Sequence, residues 1–210
     1  MSTNTIITIE RQYGSGGHLI GEKLAESLGI PFYDSELIKV AAKESGICEE
    51  IFESFDEKPT TSFLYSLVMD PYSLGYNSNS FDLPLNHKVF LAAFDTIKEL
   101  ASKGPCVFVG RCADYALSEY KDCFSVFVHA DTDWRINRLS QKHNKTAKEA
   151  KDMINKTDKS RSSYYNYYTN KKWGAASSYN LCVDSSKLGI DGAAKAIIQA
   201  IEIFDSIKNK

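Results

Sequence analysis

The feature that most constrains the fold is a glycine-rich turn between an apolar run and a helical pattern near the N-terminus. Thr5–Ile9 is rich in β-branched residues, which predicts a buried strand. Gly14-Ser15-Gly16-Gly17 follows, and His18–Leu28 then has helical periodicity up to Gly29, a predicted C-cap. Glycines let the backbone approach an oxyanion, and a helix N-terminus presents unpaired N–H groups. The segment therefore predicts a phosphate-binding turn, and a tight turn without a ligand is the alternative.

Strand and helix patterns alternate along most of the remaining chain. Further strands are predicted at Ile30–Tyr33, Pro105–Val109, Phe124–His129 and Leu181–Val183. Further helices are predicted over Glu36–Ser45, from Ala147 behind the capping box Thr146-x-x-Glu149, and over about Ile190–Ile207. This alternation predicts an α/β fold with a parallel, five-stranded sheet. The carboxyl ends of the strands would then meet at one edge, where such sheets bind ligands.

Composition narrows the class of protein and the kinds of partner. The 210 residues are 43% hydrophobic and 25% charged, as expected of one soluble domain. A net charge of −2 provides no basic field for nucleic acid, so any anion site must be local. Five scattered cysteines predict reduced thiols in a cytoplasmic protein. Because no apolar stretch reaches about 18 residues and a strand begins almost at once, neither a membrane span nor a signal peptide is predicted.

The glycine turn matches two phosphate-binding motifs incompletely. The dinucleotide fingerprint GxGxxG fits Gly14–Leu19 except for leucine at its third glycine, and Asp34 follows at the distance of a ribose-binding acid. The Walker pattern GxxxxGK[ST] fits only in its second half. Arg11 occupies its first glycine position, Gly17 its lysine position and His18 its hydroxyl position. The turn alone therefore leaves an NAD-dependent oxidoreductase and a nucleoside-triphosphate-binding protein both open.

Segments further along the chain resemble cytidylate kinases, in the same order. They are Gly14-Ser15-Gly16, Gly21–Gly29, Ile30–Ser35, Val109-Gly110-Arg111, Phe127–Asp131, Arg135, Arg138, Asp158-Lys159-Ser160-Arg161 and Val183–Ile190. The Arg-x-x-Gly-Ser-Gly-Gly turn is similar to that of the divergent cytidylate kinase-like group. The resemblance covers most of the chain except residues 46–103, and an oxidoreductase would predict none of these arginines. It implies a three-layer, P-loop NTPase-like fold and an ATP-dependent kinase of nucleoside monophosphates (CMP-like) or related small molecules.

The resemblance also implies a division of the chain and a role for each site residue. The core is expected over about 1–45, 104–141 and 174–210, with a helical acceptor-binding insertion at 46–103 and a lid at 142–173. ATP phosphates are expected on Gly14, Ser15, Gly16, Gly17 and His18, and the acceptor on Asp34, Arg111 and Arg138. The ordering of magnesium-bound water is an alternative role for Asp34. Catalytic roles are expected for Arg135, Asp158 and Arg161, and for Arg11, whose charge at the mouth of the turn replaces that of the absent lysine. Mg²⁺ would be held by ATP phosphates and water, without a direct protein ligand.

Departures from the kinase pattern in the glycine turn keep a second function open. Gly17 removes the lysine that contacts β- and γ-phosphates, and His18 supplies no hydroxyl for Mg²⁺, so a nucleotide-binding sensor or pseudokinase without turnover is the alternative. Several charged residues also have purely structural interpretations: ion pairs of Arg11 with Glu10 or Glu22, of Arg111 with Asp114 and of Asp158 with Arg161, and an N-cap role for Asp34. The aromatic group Tyr164, Tyr165, Tyr167, Tyr168 and Trp173 is predicted to pack the lid helix against its neighbours. The sequence indicates neither the acceptor nor an oligomeric state.

Overall fold

The computed structural model describes residues 3–34, residue 37 and residues 85–208. Five strands form one all-parallel sheet in the order β2-β3-β1-β4-β5. They are β1 (Ile6–Arg11), β2 (Phe32–Tyr33), β3 (Val107–Val109), β4 (Cys123–His129) and β5 (Leu181–Asp184). The predicted parallel sheet is therefore confirmed. Most of the predicted helix Glu36–Ser45 and most of the predicted insertion at 46–103 lie outside the described residues.

The sheet order distinguishes between the two phosphate-binding motifs that the sequence left open. A dinucleotide-binding sheet places its second strand directly beside the first. Here β3 lies between β1 and β2, so Asp34, which follows β2, is one strand removed from the glycine turn. The topology therefore contradicts the oxidoreductase alternative.

The strand β1 is longer than the sequence pattern predicted. Glu10 and Arg11 extend it, because they pair in register with Phe127 and Val128 of β4. Both charged residues are consequently buried, with Glu10 6% and Arg11 8% exposed. Because of this extension the glycine turn starts nearer the carboxyl edge of the sheet, and Arg11 lies at that edge, next to the turn.

Helices cover both faces of the sheet. They are α1 (Gly17–Leu28), α2 (Leu85–Ser102), α3 (Ala113–Ala116), α4 (Thr132–His143), α5 (Ala147–Thr169) and α6 (Ser185–Lys208). The predicted capping box at the start of α5 is confirmed, since Thr146 and Glu149 exchange both of its hydrogen bonds. Across the described ranges, no helix is both long and apolar enough to traverse a lipid bilayer.

A short helical turn precedes the part of α6 that was predicted to start at about Ile190. The helix begins at Ser185, and a non-helical Gly189 (φ 67°, ψ 174°) divides it in two. The Asp184 carboxylate accepts hydrogen bonds from the Ser186 hydroxyl and, at 2.9 Å, from the Ser186 N–H, which cap the added turn and lower the pKa of Asp184. The added turn therefore depends on a local side-chain cap.

Two hydrophobic clusters fix the position of β1 at the centre of the sheet. Ile7 and Ile9 pack on one face with α1 and α6, whereas Ile6 packs on the other with α2 and α3. Burying an isoleucine side chain is worth about 1.5–3 kcal/mol. Gly21 lets α1 approach closely, because a Cβ there would lie 2.9 Å from both Phe32 and Val109. The turn between β1 and α1 is thus anchored at both ends.

The aromatic residues of α5 pack as the sequence predicted. Tyr164 and Tyr165 are buried in one cluster with Phe127, and the Trp173 ring meets the Phe127 ring edge-on with 5.2 Å between centroids. Tyr165 also donates a 2.6 Å hydrogen bond to Asp114, a carboxylate whose pKa is raised by burial. This packing holds the carboxyl-terminal half of α5 against the sheet.

Candidate functional site

Hydrogen bonds of the Ser15 hydroxyl and carbonyl groups hold the glycine turn in place. Gly14 and Gly16 both have φ 81°, a left-handed conformation that favours glycine. The fully buried Ser15 donates its hydroxyl to the Gln12 carbonyl at 2.8 Å, and its own carbonyl accepts from Ser185 Oγ at 2.6 Å. In the described part of the chain, no side chain caps α1 at Gly16. The first N–H groups of α1 are therefore left to a ligand.

Gly17 cannot carry the lysine of a Walker motif in this backbone. A Cβ atom at this position would lie 2.5 Å from Arg11 Cβ and 2.9 Å from Arg11 Cγ. The Arg11 stem thus fills the space that a side chain of residue 17 would need. The loss of the lysine and the presence of Arg11 are two parts of one local arrangement.

A cavity of about 260 Å³ opens over the turn. Its wall includes the turn itself, Arg11 from β1, Arg138 and Lys142 from α4, and Arg161 from α5. Four cationic side chains around the N-terminus of a helix make a site of positive potential in a protein of net charge −2. The location agrees with the prediction that any anion site is local.

Asp158 joins α5 to the glycine turn. Its Oδ1 accepts the Tyr13 N–H at 2.7 Å, and its Oδ2 accepts from Arg135 Nη1 at 2.6 Å. One turn further along α5, Arg161 Nη1 donates to the Arg11 carbonyl at 3.2 Å. The two residues of the predicted Asp-x-x-Arg motif thus both contact the segment that enters the turn.

The two arginines of α4, Arg135 and Arg138, have different surroundings in the structure. Arg135 is 6% exposed and forms the buried ion pair with Asp158. Arg138 lies in the cavity wall, with its guanidinium 5.6 Å from the centre of the Trp134 ring. Although three-residue spacing places the two arginines on one helix face, Arg138 borders the cavity over the turn and Arg135 does not. Arg138 borders the same cavity as Asp34, and its role in binding the acceptor stays a prediction.

Asp34 and His18 meet at the side of the cavity that faces β2. Asp34 Oδ2 lies 3.0 Å from His18 Nε2, and Asp34 Oδ1 lies 3.9 Å from Arg11 Nη2. His18 Nδ1 also lies 3.4 Å from Glu22, one turn along α1. Arg11 further lies 4.0 Å from Glu10, so the predicted ion pair of Arg11 with Glu10 is present at long range alongside the contact with Asp34.

Arg111 follows β3 in a strained turn that the sequence did not indicate. Gly110, Arg111 and Cys112 have φ angles of 82°, 61° and 54°, three left-handed residues in succession. A left-handed conformation costs about 1–2 kcal/mol for a residue other than glycine, and such strain concentrates at functional sites. Asp114, the alternative partner of Arg111 in the sequence, contacts Tyr165 and, at 3.6 Å, Lys171. A role for Arg111 in binding the acceptor stays a prediction.

Several residues of the site were missed from the sequence. Gln12 ties the turn to β4, since its N–H donates to the Val128 carbonyl at 3.0 Å and its side-chain oxygen accepts the Ala130 N–H at 3.1 Å. Lys142 borders the cavity one helical turn beyond Arg138. The four-residue spacing of Arg138 and Lys142 was a usable signal for Lys142, because residues four apart share one face of a helix. No comparable signal existed for Gln12.

The residues present suit a triphosphate with its magnesium ion. Open N–H groups at a helix N-terminus and surrounding cations match phosphate oxygens. Within residues 3–34, 37 and 85–208, no group of three or more His, Cys, Asp or Glu side chains is arranged to hold a metal. A magnesium ion here would rest mainly on phosphate oxygens and water, as Mg²⁺ does in many kinase sites.

The sheet order and the glycine turn between β1 and α1 define a P-loop kinase-like α/β protein. The model of the cytidylate kinase-like family matches residues 6–187, and the chain belongs to that family. No curated protein is significantly similar to it.

Solved structures agree with this fold. An uncharacterized protein from Eubacterium ventriosum ATCC 27560 has 29% identity and a TM-score of 0.71, with 94% of this chain and 98% of that chain covered. A gluconokinase from Sinorhizobium meliloti 1021 has 14% identity and a TM-score of 0.55, over 100% and 98% of the two chains. A shikimate kinase from Bacteroides thetaiotaomicron has 14% identity and a TM-score of 0.51, over 94% and 98%. The latter two share the fold.

Proposed function

We propose that the protein is an ATP-dependent phosphotransferase whose acceptor is a nucleoside monophosphate, such as CMP, or a related small molecule. The observation that carries the proposal is the open first turn of α1, which faces a cavity walled by Arg11, Arg138, Lys142 and Arg161. Membership of a cytidylate kinase-like family supports it. Phosphoryl transfer requires mainly positioning and positive charge, and this cavity offers both.

In this proposal backbone N–H groups bind the phosphates of ATP, and cationic side chains neutralise the phosphate charge. The N–H groups of residue 14 and residues 16–18 bind phosphate oxygens, since the Ser15 N–H already donates to the Gln12 carbonyl at 3.3 Å. Arg138 and Lys142 supply the positive charge that a Walker lysine would provide. ATP and Mg²⁺ provide the transferable phosphoryl group and its charge shielding. Arg161, which already contacts the Arg11 carbonyl, positions the lid over the turn and excludes water.

The absent lysine favours a second candidate, a nucleotide-binding sensor without turnover. A Cβ at residue 17 would collide with the Arg11 stem, so the site is built without this lysine. A sensor needs the phosphate-binding turn but not the transfer of the phosphoryl group. The two candidates therefore predict equal ATP binding and differ only in the formation of ADP.

Calorimetric titration with ATP and Mg²⁺, followed by a coupled assay for ADP with a panel of nucleoside monophosphates and small alcohols, tests the proposal. We expect saturable binding of ATP and formation of ADP above the rate without protein. Binding without any ADP would favour the sensor. An absence of ATP binding would contradict both candidates.

A further inference from the structure

We propose that the protein has a second binding site, for a small neutral polyhydroxylated molecule such as a monosaccharide or a sugar alcohol, in a cavity beside Asp114 and Lys171. The inference goes beyond the proposed function and does not depend on it. Its basis is a buried carboxylate oxygen that lacks a hydrogen-bond donor, next to a partly exposed ammonium group, in a wall made largely of hydroxyl and amide groups.

This cavity of about 280 Å³ lies between α3, the start of β4 and the segment that links α5 to β5. Among the described residues, none borders both this cavity and the one over the glycine turn. Ser125 in its wall precedes Val128, whose carbonyl accepts the Gln12 N–H at the turn, by a distance of about 10 Å along β4. The cavity is therefore separate from the candidate phosphate site.

Asp114 supplies the unsatisfied group at the buried end of this cavity. Its side chain is 2% exposed, and its Oδ2 accepts the Tyr165 hydroxyl at 2.6 Å. Its Oδ1 is buried and meets no donor in hydrogen-bonding geometry among the described residues. An unpaired carboxylate oxygen in such surroundings is costly, and the same burial raises the pKa of Asp114. A ligand that donates a hydrogen bond to Oδ1 would remove this cost.

Lys171 restricts the chemistry of the ligand. Its Nζ lies 3.6 Å from Asp114 Oδ2, and its side chain is 37% exposed. Because an ammonium group only donates hydrogen bonds, the ligand must present an acceptor to Lys171 and a donor to Asp114 a few ångströms apart. A cation, or the ammonium group of a zwitterion, would be repelled by Lys171, and an anion would be repelled by Asp114. Neighbouring hydroxyl groups on a neutral molecule meet both requirements, since each hydroxyl donates and accepts.

The rest of the wall suits the same class of ligand. Asn180 is fixed at one side, because its side-chain oxygen accepts the N–H and the hydroxyl of Ser125, each at 2.8 Å. The side-chain nitrogen of Asn180 adds two N–H donors to the wall. Further hydroxyl groups come from Ser118, Tyr120, Ser177 and Ser178. A volume of about 280 Å³ is at the small end of ligand cavities and suits a molecule of monosaccharide size.

Proton–nitrogen correlation NMR spectra of the full chain, titrated with glycerol, ribose, glucose and sorbitol, test the proposal. We expect at least one of these polyols to shift the backbone amide signals of Ser118, Ser125 and Asn180 in a saturable manner and to leave those of Gly16 and Gly17 unchanged. ATP with Mg²⁺ should produce the opposite pattern. Serine, choline and acetate are the zwitterionic, cationic and anionic probes, and none of them should shift the signals around the cavity.

Variants of the two charged residues test whether the polyol binds beside them. Lys171→Met and Asp114→Asn should each weaken polyol binding by about tenfold, the scale of one hydrogen bond to a charged group. The matched control is Lys172→Met, at an exposed lysine outside the cavity wall, which should bind the polyol as wild type does. Thermal unfolding verifies that each variant is folded, and Lys171→Met decides alone if Asp114→Asn does not fold.

The inference and the proposed function fail on different outcomes. The polyol site would be overturned by the absence of a shift with all four polyols, by polyol binding that Lys171→Met leaves unchanged, or by a charged probe that binds there instead. Each of these results would leave the phosphotransferase proposal standing. If wild type bound a polyol beside Asp114 but bound no ATP, the inferred site would stand and the nucleotide-binding proposal would fail.

Discussion

Replacing Gly17 with alanine is expected to lower the free energy of unfolding by about 1–3 kcal/mol, the usual cost of overpacking, and to weaken ATP binding by about tenfold. The new Cβ would lie 2.5 Å from Arg11 Cβ, an atom fixed to the backbone of a buried strand. Either β1 or the first turn of α1 must then shift, and the N–H groups move with it. Urea denaturation and calorimetric titration with ATP and Mg²⁺ measure the two effects.

The matched control is Gly192→Ala in α6, another substitution within a helix. A Cβ there meets Leu188 Cβ at 3.4 Å, an ordinary contact, so alanine is expected to raise the free energy of unfolding by up to about 1 kcal/mol and to leave ATP binding unchanged. Gly17→Lys, which restores the Walker lysine, is expected to behave as Gly17→Ala does. Tighter ATP binding by Gly17→Lys would contradict the claim that Arg11 occupies the space of this side chain.

Replacing Arg135 with methionine is expected to cost about 3–5 kcal/mol of stability, since it leaves a largely buried carboxylate without its partner. The side chains of Arg135 and Asp158 are 7% and 17% exposed, and they meet at 2.6 Å. Asp158 would keep the hydrogen bond from the Tyr13 N–H but lose its cationic partner, so α5 should separate from the glycine turn. The free energy of unfolding from urea denaturation is the measurement.

Arg138→Met is the matched control, with the same substitution three residues along the same helix. We expect it to change stability by less than about 0.5 kcal/mol, as for most surface substitutions, and to weaken ATP binding by about tenfold. The two variants would thus distinguish the structural role of Arg135, which holds α5 against the glycine turn, from the role of Arg138 in neutralising phosphate charge. A larger loss of stability in Arg138→Met than in Arg135→Met would reverse these assignments.

Much of the fold was predictable because its signals are local. The β-branched run before the glycine turn, the helical periodicity after it and the capping box at Thr146 each depend on residues close in sequence, and all appear in the structure. The long part of α6 begins after Gly189, close to the predicted start at about Ile190, whereas the short turn before it depends on the hydrogen bonds of Ser186 to Asp184 and was not predicted. The extension of β1 depends on pairing with β4, more than 100 residues away, and lacked a local signal.

The candidate site was predictable in its residues but not in their partners. Sequence resemblance singled out Arg135, Asp158 and Arg161, yet it did not indicate that Asp158 would bind the Tyr13 N–H across 145 residues. Such contacts depend on how α4 and α5 return to the turn, which no spacing in the sequence specifies. The left-handed turn at Arg111 is equally non-local, because the Arg11 guanidinium lies against Gly110 and leaves no room for a Cβ there.

A crystal structure of the protein with a non-hydrolysable ATP analogue and Mg²⁺ tests the central claim most directly. We expect phosphate oxygens within about 3 Å of the backbone nitrogens of residue 14 and residues 16–18, with the guanidinium of Arg138 beside them. Phosphates bound elsewhere in the protein, or a turn that stays closed over its own N–H groups at saturating ligand, would contradict the claim that backbone N–H groups bind the triphosphate without a Walker lysine.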